Sequence, residues 1–234
     1  MNNIQLDSTH AIKIKLDKPA AIDAFFLFGI HKCGSSLLNS IFVDICRVND
    51  IPDFPLPEMA FEQGIPTEAW DNCTAFNSII EDGYCYRGYR HFPLFLAKNN
   101  LIHQRKKILL VRDPRDAIVS SYFSFAKSHL LPKSGDLLQR MLATRETMKD
   151  IELENYAVAR ATSVKAAFNL YYENLRNDDF LRVYRYEDII FEKENWIADM
   201  LDFVGLTLRP VQLQRIANSH NVIPTIEDLS LIHI

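Results

Sequence analysis

The chain has 234 residues, of which 48% are hydrophobic and 24% are charged, and its formal net charge is −4. This composition is typical of one globular α/β domain with a large core, and the negative charge argues against a nucleic-acid partner. No apolar run reaches membrane-spanning length, the N-terminus lacks a signal peptide's apolar segment, and the four cysteines lack metal-ligand spacing. We therefore expect a cytoplasmic protein without a transmembrane segment.

The first predicted elements are an edge strand and a strand–turn–helix unit. Residues Ala11–Leu16 alternate apolar and basic side chains, which predicts a half-exposed strand at the edge of the sheet. The apolar run Phe25–Phe28 predicts a buried strand. Apolar residues at helical spacing then predict a helix that begins near Ser35 and ends near Val48.

The turn between this strand and this helix predicts an anion site. Backbone N–H groups and the positive end of the helix dipole converge there, and Gly34 lets the backbone approach a ligand closely. Lys32 and the hydroxyls of Ser35 and Ser36 add further donors. Gly29 and Gly34 have the separation found in the ATP-binding loop, but Lys32 precedes the second glycine instead of following it. A plain turn with a surface lysine is the alternative interpretation.

The next segment, residues 49–83, carries four prolines and several aromatic residues. We interpret it as a long irregular loop that covers a binding pocket, because a loop of this length in a compact domain is usually functional. Tyr84–Tyr89 then predicts a short strand. His91 and Pro93 open a predicted short helix that ends near Lys98.

A second strand–helix unit follows. The aliphatic run Ile108–Val111 predicts a central parallel strand, and the Asp-Pro pair two residues later predicts a capped helix that ends near Ser128. Arg112 then lies at the carboxyl end of a strand, where open α/β sheets bind their ligands. Ser120 lies about two turns along the following helix.

The rest of the chain alternates helices with one more strand. Helices are predicted over residues 136–149, 152–175, 191–204 and 210–219, and Phe180–Tyr184 predicts a third buried strand. Strands that alternate with helices predict an α/β fold of three layers, in which helices flank a central parallel sheet. We expect a single domain over residues 1–234.

Three separated segments, residues 26–37, 107–122 and 183–188, together resemble the sulfotransferase domain family. That family uses 3′-phosphoadenosine 5′-phosphosulfate as its sulfate donor and has a P-loop-like fold. The sequence Lys-Cys-Gly-Ser-Ser is similar to the family's loop for the 5′-phosphosulfate. The resemblance therefore implies that Lys32, Cys33, Gly34, Ser35 and Ser36 bind the donor, with Lys32 also catalytic at the bridging oxygen.

The second segment resembles the family's 3′-phosphate motif, in which an arginine and a serine eight residues later hold the nucleotide. These positions correspond to Arg112 and Ser120. Tyr186 matches a tyrosine that the family places near the adenine. The resemblance implies a cytosolic-type sulfotransferase that needs no metal and moves a sulfuryl group to a hydroxyl of a small molecule, lipid or sugar.

The catalytic base is predicted from the segment Tyr-Arg-His-Phe-Pro-Leu, which resembles the Lys-Thr-His-Leu-Pro-Leu segment of cytosolic sulfotransferases. This resemblance names His91 as the base, and an imidazole suits proton transfer near neutral pH. The two residues before His91 depart from the family pattern. Other branches of the family use a glutamate, so Glu62 and Glu68 are alternative bases.

Two further interpretations belong to different functional classes. A P-loop kinase or nucleotide hydrolase would use the apolar strand Ile108–Val111 followed by Asp113 as a magnesium site. A non-catalytic nucleotide-binding module of the same fold would bind the donor without transferring its sulfuryl group.

The C-terminus departs from the family pattern. Family members continue after the last helix into a basic, glycine-containing segment that closes over the 3′-phosphate, but here no Arg or Lys follows Arg215. The last residues, Leu229–Ile234, resemble a translated sequencing adaptor. We therefore predict that the donor-closing segment is missing and that residues 229–234 are not native.

Overall fold

The structure is a computed structural model that describes residues 2–125 and 131–221. The strands are β1 (Asn2–Gln5), β2 (Ala11–Ile14), β3 (Phe25–Gly29), β4 (Asp53–Phe54), β5 (Cys85–Tyr89), β6 (Lys106–Val111) and β7 (Leu181–Arg185). The α-helices are α1 (Ser35–Val48), α2 (Leu56–Glu62), α3 (Thr67–Trp70), α4 (Pro114–Phe123), α5 (Asp136–Thr147), α6 (Leu153–Leu175), α7 (Tyr186–Ile189), α8 (Lys193–Val204) and α9 (Pro210–Ser219). Short 3₁₀-helices cover Thr74–Ser78, Leu96–Lys98 and Ile102–Gln104.

Five of these strands form a parallel sheet in the order β4-β5-β3-β6-β7. The central strand β3 therefore lies between β5 and β6, and Phe25 of β3 is in register with Lys106 of β6. All five carboxyl ends lie at one edge, because the strands are parallel. The residues that follow β3, β5 and β6 are consequently brought together in space.

The side chains of β3 show why the fold has three layers. Phe25 and Leu27 pack on one face of the sheet against α1, α8 and α9, whereas Phe26 and Phe28 pack on the other face, where α6 contributes. Both faces are buried, so the strand is an uninterrupted apolar run, as expected for a central parallel strand. The predicted α/β fold with a central parallel sheet flanked by helices is confirmed.

The predicted edge strand is a strand, but its place in the fold was predicted wrongly. Residues Ala11–Ile14 pair with Asn2–Gln5 in a separate two-stranded antiparallel sheet. The alternation has the expected effect on burial, since Ile12 and Ile14 are buried and the intervening residues are exposed. Alternation identifies a strand with one buried face, but it does not identify the partner strand.

Residues 49–83 are also more ordered than predicted, because they contain β4, α2, α3 and a 3₁₀-helix. Three of the four prolines that suggested a loop lie where a helix begins. Pro57 is in the first turn of α2, and Pro66 is the N-cap residue of α3. A proline is well tolerated at such positions because the N–H it lacks has no partner within the helix.

Two other predictions were partly wrong. Strand β7 is at the edge of the parallel sheet and half-exposed, with Val183 50% exposed, although its apolar residues suggested a buried strand. The helix predicted after His91 and Pro93 is only a turn that leads into the 3₁₀-helix Leu96–Lys98. The predicted end of α4 near Ser128 and residues 229–234, which were predicted not to be native, lie outside the described residues.

Candidate functional site

A cavity of about 750 Å³ opens where β3, β5 and β6 end. The segments that follow these strands and helix α4 form its polar side, and α2 and α3 form much of its other side. It is lined by every predicted site residue except Cys33, namely Lys32, Gly34, Ser35, Ser36, His91, Arg112, Ser120 and Tyr186. A smaller depression of about 360 Å³ near His103 and Phe180, beside the opposite ends of β6 and β7, contains none of them.

The loop after β3 has a constrained backbone. Gly34 has a φ of 91°, and Lys32 has a φ of 66°, which is uncommon for a residue with a side chain. The Cys33 amide donates to the Ile30 carbonyl at 3.0 Å, which closes the turn. Gly34 is the N-cap residue of α1 and provides no side-chain hydrogen bond, so the first N–H groups of this helix have no side-chain cap.

Gly34, Tyr186 and Arg112 pack on one another. A Cβ atom at position 34 would lie 2.6 Å from Cδ2 of Tyr186, so only glycine fits beneath this ring. The Arg112 guanidinium carbon lies 4.8 Å from the centroid of the Tyr186 ring. This is a cation–π contact, and it holds the arginine beside the loop. Tyr186 therefore links the loop after β3 to the residue that follows β6.

Arg112 has only weak ion pairing within the described residues. Its Nη2 atom lies 3.7 Å from Asp116, whose side chain is 56% exposed, and its Nε atom is buried without a hydrogen-bond partner. Asp113 does not neutralise it, since the Asp113 carboxylate accepts from the backbone and guanidinium of Arg115. Arg112 thus retains hydrogen-bonding capacity beside the cavity.

The two neighbouring serines of α4 have different surroundings. Ser120 lines the cavity, and no described residue is hydrogen-bonded to its hydroxyl. The Ser121 hydroxyl is buried, where it donates to the Ile118 carbonyl at 2.7 Å and lies 2.8 Å from the Tyr156 hydroxyl. Successive helix residues point in directions about 100° apart, which explains why only the first of the pair faces the cavity.

Cys33 does not line the cavity, in contrast to the other predicted loop residues. Its side chain is completely buried in the core, and its amide is occupied by the turn. Burial raises the pKa of the Cys33 thiol to about 12, so the thiol stays neutral at physiological pH. The structure thus places the Cys33 side chain in the core and not on the wall of the cavity.

The cavity also contains a cation that the sequence analysis did not single out, Arg90. Although Arg90 is exposed along the cavity, desolvation by the surrounding protein lowers its pKa, and Glu58 acts in the opposite direction. Desolvation also lowers the pKa of Lys32, and the positive charges of Arg90 and Arg112 lower it further. Lys32 is therefore close enough to both arginines to sense their charges. Arg90 directly follows strand β5, and this position at the carboxyl end of a predicted strand was the signal that could have identified it.

His91 is held by an acidic partner that the sequence did not reveal. Its Nε2 atom lies 2.7 Å from Oδ1 of Asp71, and its ring lies 5.5 Å from the Trp70 ring. Of the two alternative bases, Glu62 lines the cavity, whereas Glu68 does not and instead faces Arg140 at 3.5 Å. Only His91 and Glu62 are therefore placed to contact a ligand in the cavity.

The wall opposite the cations is partly apolar, with Phe61, Ile65, Trp70 and Leu137 on it. Leu137 belongs to α5, and its amide approaches the Gly64 carbonyl at 3.4 Å. These residues lie in segments that were interpreted as an irregular loop and a separate helix, so no sequence pattern indicated that they group together. Their arrangement suits the apolar body of a ligand whose polar end faces the cations.

The structure also shows where the candidate magnesium ligand of the kinase interpretation lies. Asp113, the candidate magnesium ligand of a kinase, caps α4, is paired with Arg115 and does not line the cavity. Within residues 2–125 and 131–221, no three His, Cys, Asp or Glu side chains are grouped so that they could hold a metal ion.

In the same residues, no helix is both long and apolar enough to span a membrane.

Comparison with known proteins identifies the family. The model of the sulfotransferase domain family matches residues 23–222. The chain belongs to this sulfotransferase family. It is 30% identical over 131 residues to sulfotransferase 2A1 of Mus musculus and 28% identical over 131 residues to sulfotransferase 2A6 of Rattus norvegicus. Each match covers 53% of this chain and 40% of the relative, so the aligned part spans less than half of these relatives.

Solved structures of sulfotransferases and a related protein share the fold. Mouse sulfotransferase SULT7A1, solved with PAP, matches 87% of this chain and 65% of its own, with a TM-score of 0.50 and 16% identity. Retinol dehydratase, solved with androsterone and the inactive cofactor PAP, matches 85% of this chain and 64% of its own, with a TM-score of 0.51 and 15% identity. At this level of identity, the comparison establishes a common fold and not a common substrate.

Proposed function

We propose that this protein transfers a sulfuryl group from 3′-phosphoadenosine 5′-phosphosulfate to a hydroxyl group of an acceptor. The observation that carries the proposal is that two candidate anion-binding segments, one after β3 and one after β6, line one cavity. The donor has phosphate groups on both sides of its ribose and therefore needs two such units on adjacent strands. Membership of the sulfotransferase family and the PAP held by two proteins of the same fold support this choice.

We assign the 5′-phosphosulfate to the loop after β3. The uncapped N–H groups of α1 and the hydroxyls of Ser35 and Ser36 would bind the 5′-phosphate. Lys32 would contact the oxygen that bridges phosphorus and sulfur. As the acceptor oxygen attacks sulfur in line, the S–O bond to the nucleotide breaks and this bridging oxygen gains negative charge. A cation already positioned there stabilises the transition state more than the ground state.

We assign the 3′-phosphate to Arg112 and Ser120. A guanidinium can donate two parallel hydrogen bonds to phosphate oxygens, and the Tyr186 ring already fixes this one at the edge of the cavity. Ser120 would donate from α4 to the same phosphate. Tyr186 also lines the cavity, so its ring is available to the base or ribose of the nucleotide.

The electrostatics of the cavity support an anionic ligand. Lys32, Arg90 and Arg112 are close enough for the pKa of Lys32 to be lowered by the other two charges, and loss of hydration adds to this effect. An anion bound among these cations would relieve their mutual repulsion. We place Arg90 near the sulfuryl group, because it directly follows β5, the strand next to β3, and lines the same cavity as Lys32.

We propose an acceptor with an apolar body that lies against Phe61, Ile65 and Trp70 and presents its hydroxyl to the donor. His91 would be the base that removes the hydroxyl proton, since it lines the cavity and is held by Asp71. Glu62 is the alternative. Turnover by His91→Ala and Glu62→Gln distinguishes them, because loss of a general base costs about 10²- to 10⁴-fold in rate.

The experiment that tests the donor site is calorimetric titration with 3′-phosphoadenosine 5′-phosphate. Arg112→Ala should weaken binding by about 1.5–3 kcal/mol, the range for hydrogen bonds to charged groups. Arg115→Ala is the matched control, because it removes one positive charge from the same segment at a residue that is 88% exposed and does not line the cavity. Equal affinities of wild type and Arg112→Ala would refute the assignment.

Turnover with a panel of hydroxyl acceptors tests the reaction itself. Lys32→Ala should remain folded and lose most of its activity. Donor binding without sulfuryl transfer to any acceptor would favour the non-catalytic module. Magnesium-dependent turnover of ATP would instead favour a kinase or nucleotide hydrolase.

A further inference from the structure

Asp71 and His91 form a hydrogen-bonded pair at the wall of the cavity. The distance from Oδ1 of Asp71 to Nε2 of His91 is 2.7 Å, and only His91 of the two lines the cavity. Both side chains are partly shielded from solvent, with 18% of Asp71 and 26% of His91 exposed. A hydrogen bond in this setting is less weakened by water than a surface ion pair is.

The main chain fixes Asp71 in place. Its amide donates to the Thr67 carbonyl at 2.9 Å, and its carbonyl accepts from the Phe95 amide at 3.0 Å. Its Oδ1 atom also accepts from the Leu94 amide at 3.2 Å. Asp71 thus joins the segment that ends α3 to the segment that follows β5. A carboxylate held at this many points constrains the direction in which the imidazole can turn.

The pairing also selects one tautomer of neutral His91. A carboxylate can only accept hydrogen bonds, so the imidazole must carry its proton on Nε2 and leave the lone pair on Nδ1. No described residue is hydrogen-bonded to Nδ1, and Nδ1 is not among the buried polar atoms that lack a partner. The nitrogen without a proton is therefore the one that remains accessible.

We propose that Asp71 is a positioning residue, which holds His91 in the Nε2–H tautomer so that Nδ1 accepts the proton of the acceptor hydroxyl. This inference rests on the proposed function for its catalytic meaning. As the acceptor oxygen bonds to sulfur and the S–O bond to the nucleotide breaks, the hydroxyl proton moves to Nδ1. His91 becomes an imidazolium, which the negative charge of Asp71 stabilises, and it returns the proton to solvent after the products leave.

The tautomer can be measured without any turnover. Long-range ¹H–¹⁵N correlation spectra of protein with ¹⁵N-labelled histidine distinguish a protonated from an unprotonated ring nitrogen, and the spectrum of His91→Gln assigns the His91 signals. At alkaline pH, where an imidazole is neutral, wild-type His91 should show a proton on Nε2 and none on Nδ1. Asp71→Ala should show a mixture of the two tautomers. A wild-type spectrum with the proton on Nδ1 would overturn the proposal even if the enzyme is active.

Turnover provides the second readout. Since a positioned base contributes about 10²- to 10⁴-fold, Asp71→Ala should lower kcat at least about tenfold, with little change in KM for the donor. Asp71→Asn keeps an oxygen that can accept from the Leu94 amide, so it should fold like the wild type and still lose activity through the missing charge. Unchanged kcat in both variants would refute the positioning role.

The chain offers a matched control in a second histidine–aspartate pair. Nε2 of His220 lies 2.9 Å from Oδ2 of Asp44, and neither residue lines the cavity. Asp44→Ala should change the tautomer of His220 and leave kcat within about twofold of wild type, since it removes no group that faces the cavity. Loss of activity in Asp44→Ala equal to that in Asp71→Ala would mean that both variants act through stability alone. If no variant has measurable activity, the spectra still decide the tautomer, which separates this inference from the proposed function.

Discussion

Replacement of Gly34 by alanine tests whether the loop after β3 is built around its contact with Tyr186. Two costs are expected in Gly34→Ala. The backbone at Gly34 is left-handed, with φ of 91° and ψ of 12°, which a residue with a side chain adopts at a cost of about 1–2 kcal/mol. The new Cβ atom would also lie 2.6 Å from Cδ2 of Tyr186 and 3.1 Å from Cδ2 of Leu110. Overpacking of this kind costs about 1–3 kcal/mol, so the sum is about 2–5 kcal/mol.

Gly205 provides the control for the backbone cost. It is also left-handed, with φ of 81° and ψ of 28°, but a Cβ atom there would have its nearest neighbour at 3.9 Å, the flexible end of Lys106. Gly205→Ala should therefore lower the free energy of unfolding by the backbone cost alone, about 1–2 kcal/mol. The difference between the two variants measures the steric conflict with Tyr186.

Urea denaturation of both alanine variants, and of Gly34→Ala in a Tyr186→Ala background, makes the test quantitative. Without the ring, Gly34→Ala should regain most of the overpacking cost, a coupling free energy of about 1–3 kcal/mol. Gly34→Ala should also bind 3′-phosphoadenosine 5′-phosphate more weakly, because displacement of the Tyr186 ring would move the Arg112 guanidinium that packs on it. Gly205→Ala should bind this nucleotide with the affinity of the wild type. Equal destabilisation by Gly34→Ala and Gly205→Ala, with no coupling to Tyr186, would refute the reasoning.

Three other predictions concern buried groups. Lys107 is completely buried and pairs with Asp178 at 2.9 Å, so Lys107→Met should lower the free energy of unfolding by about 3–5 kcal/mol by leaving a buried carboxylate unpaired. The double variant Lys107→Met/Asp178→Asn should recover most of this loss in urea denaturation, and no recovery would show that the ion pair is not the cause. Cys33, Cys46 and Cys85 are buried, so iodoacetamide should modify only Cys73 in the native protein at pH 8.5 and all four cysteines in urea. Because burial raises the pKa of Cys33 from 9.0 to about 12, the folded protein keeps a proton that the unfolded chain releases. The free energy of unfolding should therefore fall as pH rises from 9 towards 12, and it should fall less steeply in Cys33→Ala.

The sequence could predict that Lys32 and Arg112 lie beside one cavity, because their positions follow from local patterns. An apolar strand, a turn and a helix predict where Lys32 and Arg112 lie, and parallel strands bring their carboxyl ends to one edge. Each part of this argument needs only a few consecutive residues. Ser120, which the family motif identified, lines the cavity, whereas the neighbouring Ser121 is buried against Tyr156.

The other side of the cavity could not be predicted in the same way, because it depends on contacts between distant segments. Asp71 reaches His91 across 20 positions, and Leu137 reaches the cavity only because α5 packs beside Gly64. No periodic pattern of apolar residues in the sequence indicates contacts between such distant segments. The prolines of residues 49–83 also misled the interpretation, since proline favours a loop and the first turn of a helix alike. Edge strands are similarly ambiguous, because the position of β2 and β7 depends on their partners.

The net charge of the chain gives no indication of the basic residues that line the cavity. The protein has 26 basic and 30 acidic residues, yet three cations converge on the cavity that holds the predicted donor residues. Of the acids near these cations, Glu58 pairs with Arg87 at 2.8 Å and Asp113 pairs with Arg115 at 2.6 Å. Asp113 does not line the cavity, whereas Glu58 and Glu62 do, and Glu58 acts to raise the pKa of Arg90. Three basic side chains, Lys32, Arg90 and Arg112, thus line the cavity with two acidic ones, Glu58 and Glu62, in a protein that is negative overall. A local excess of positive charge favours an anionic ligand.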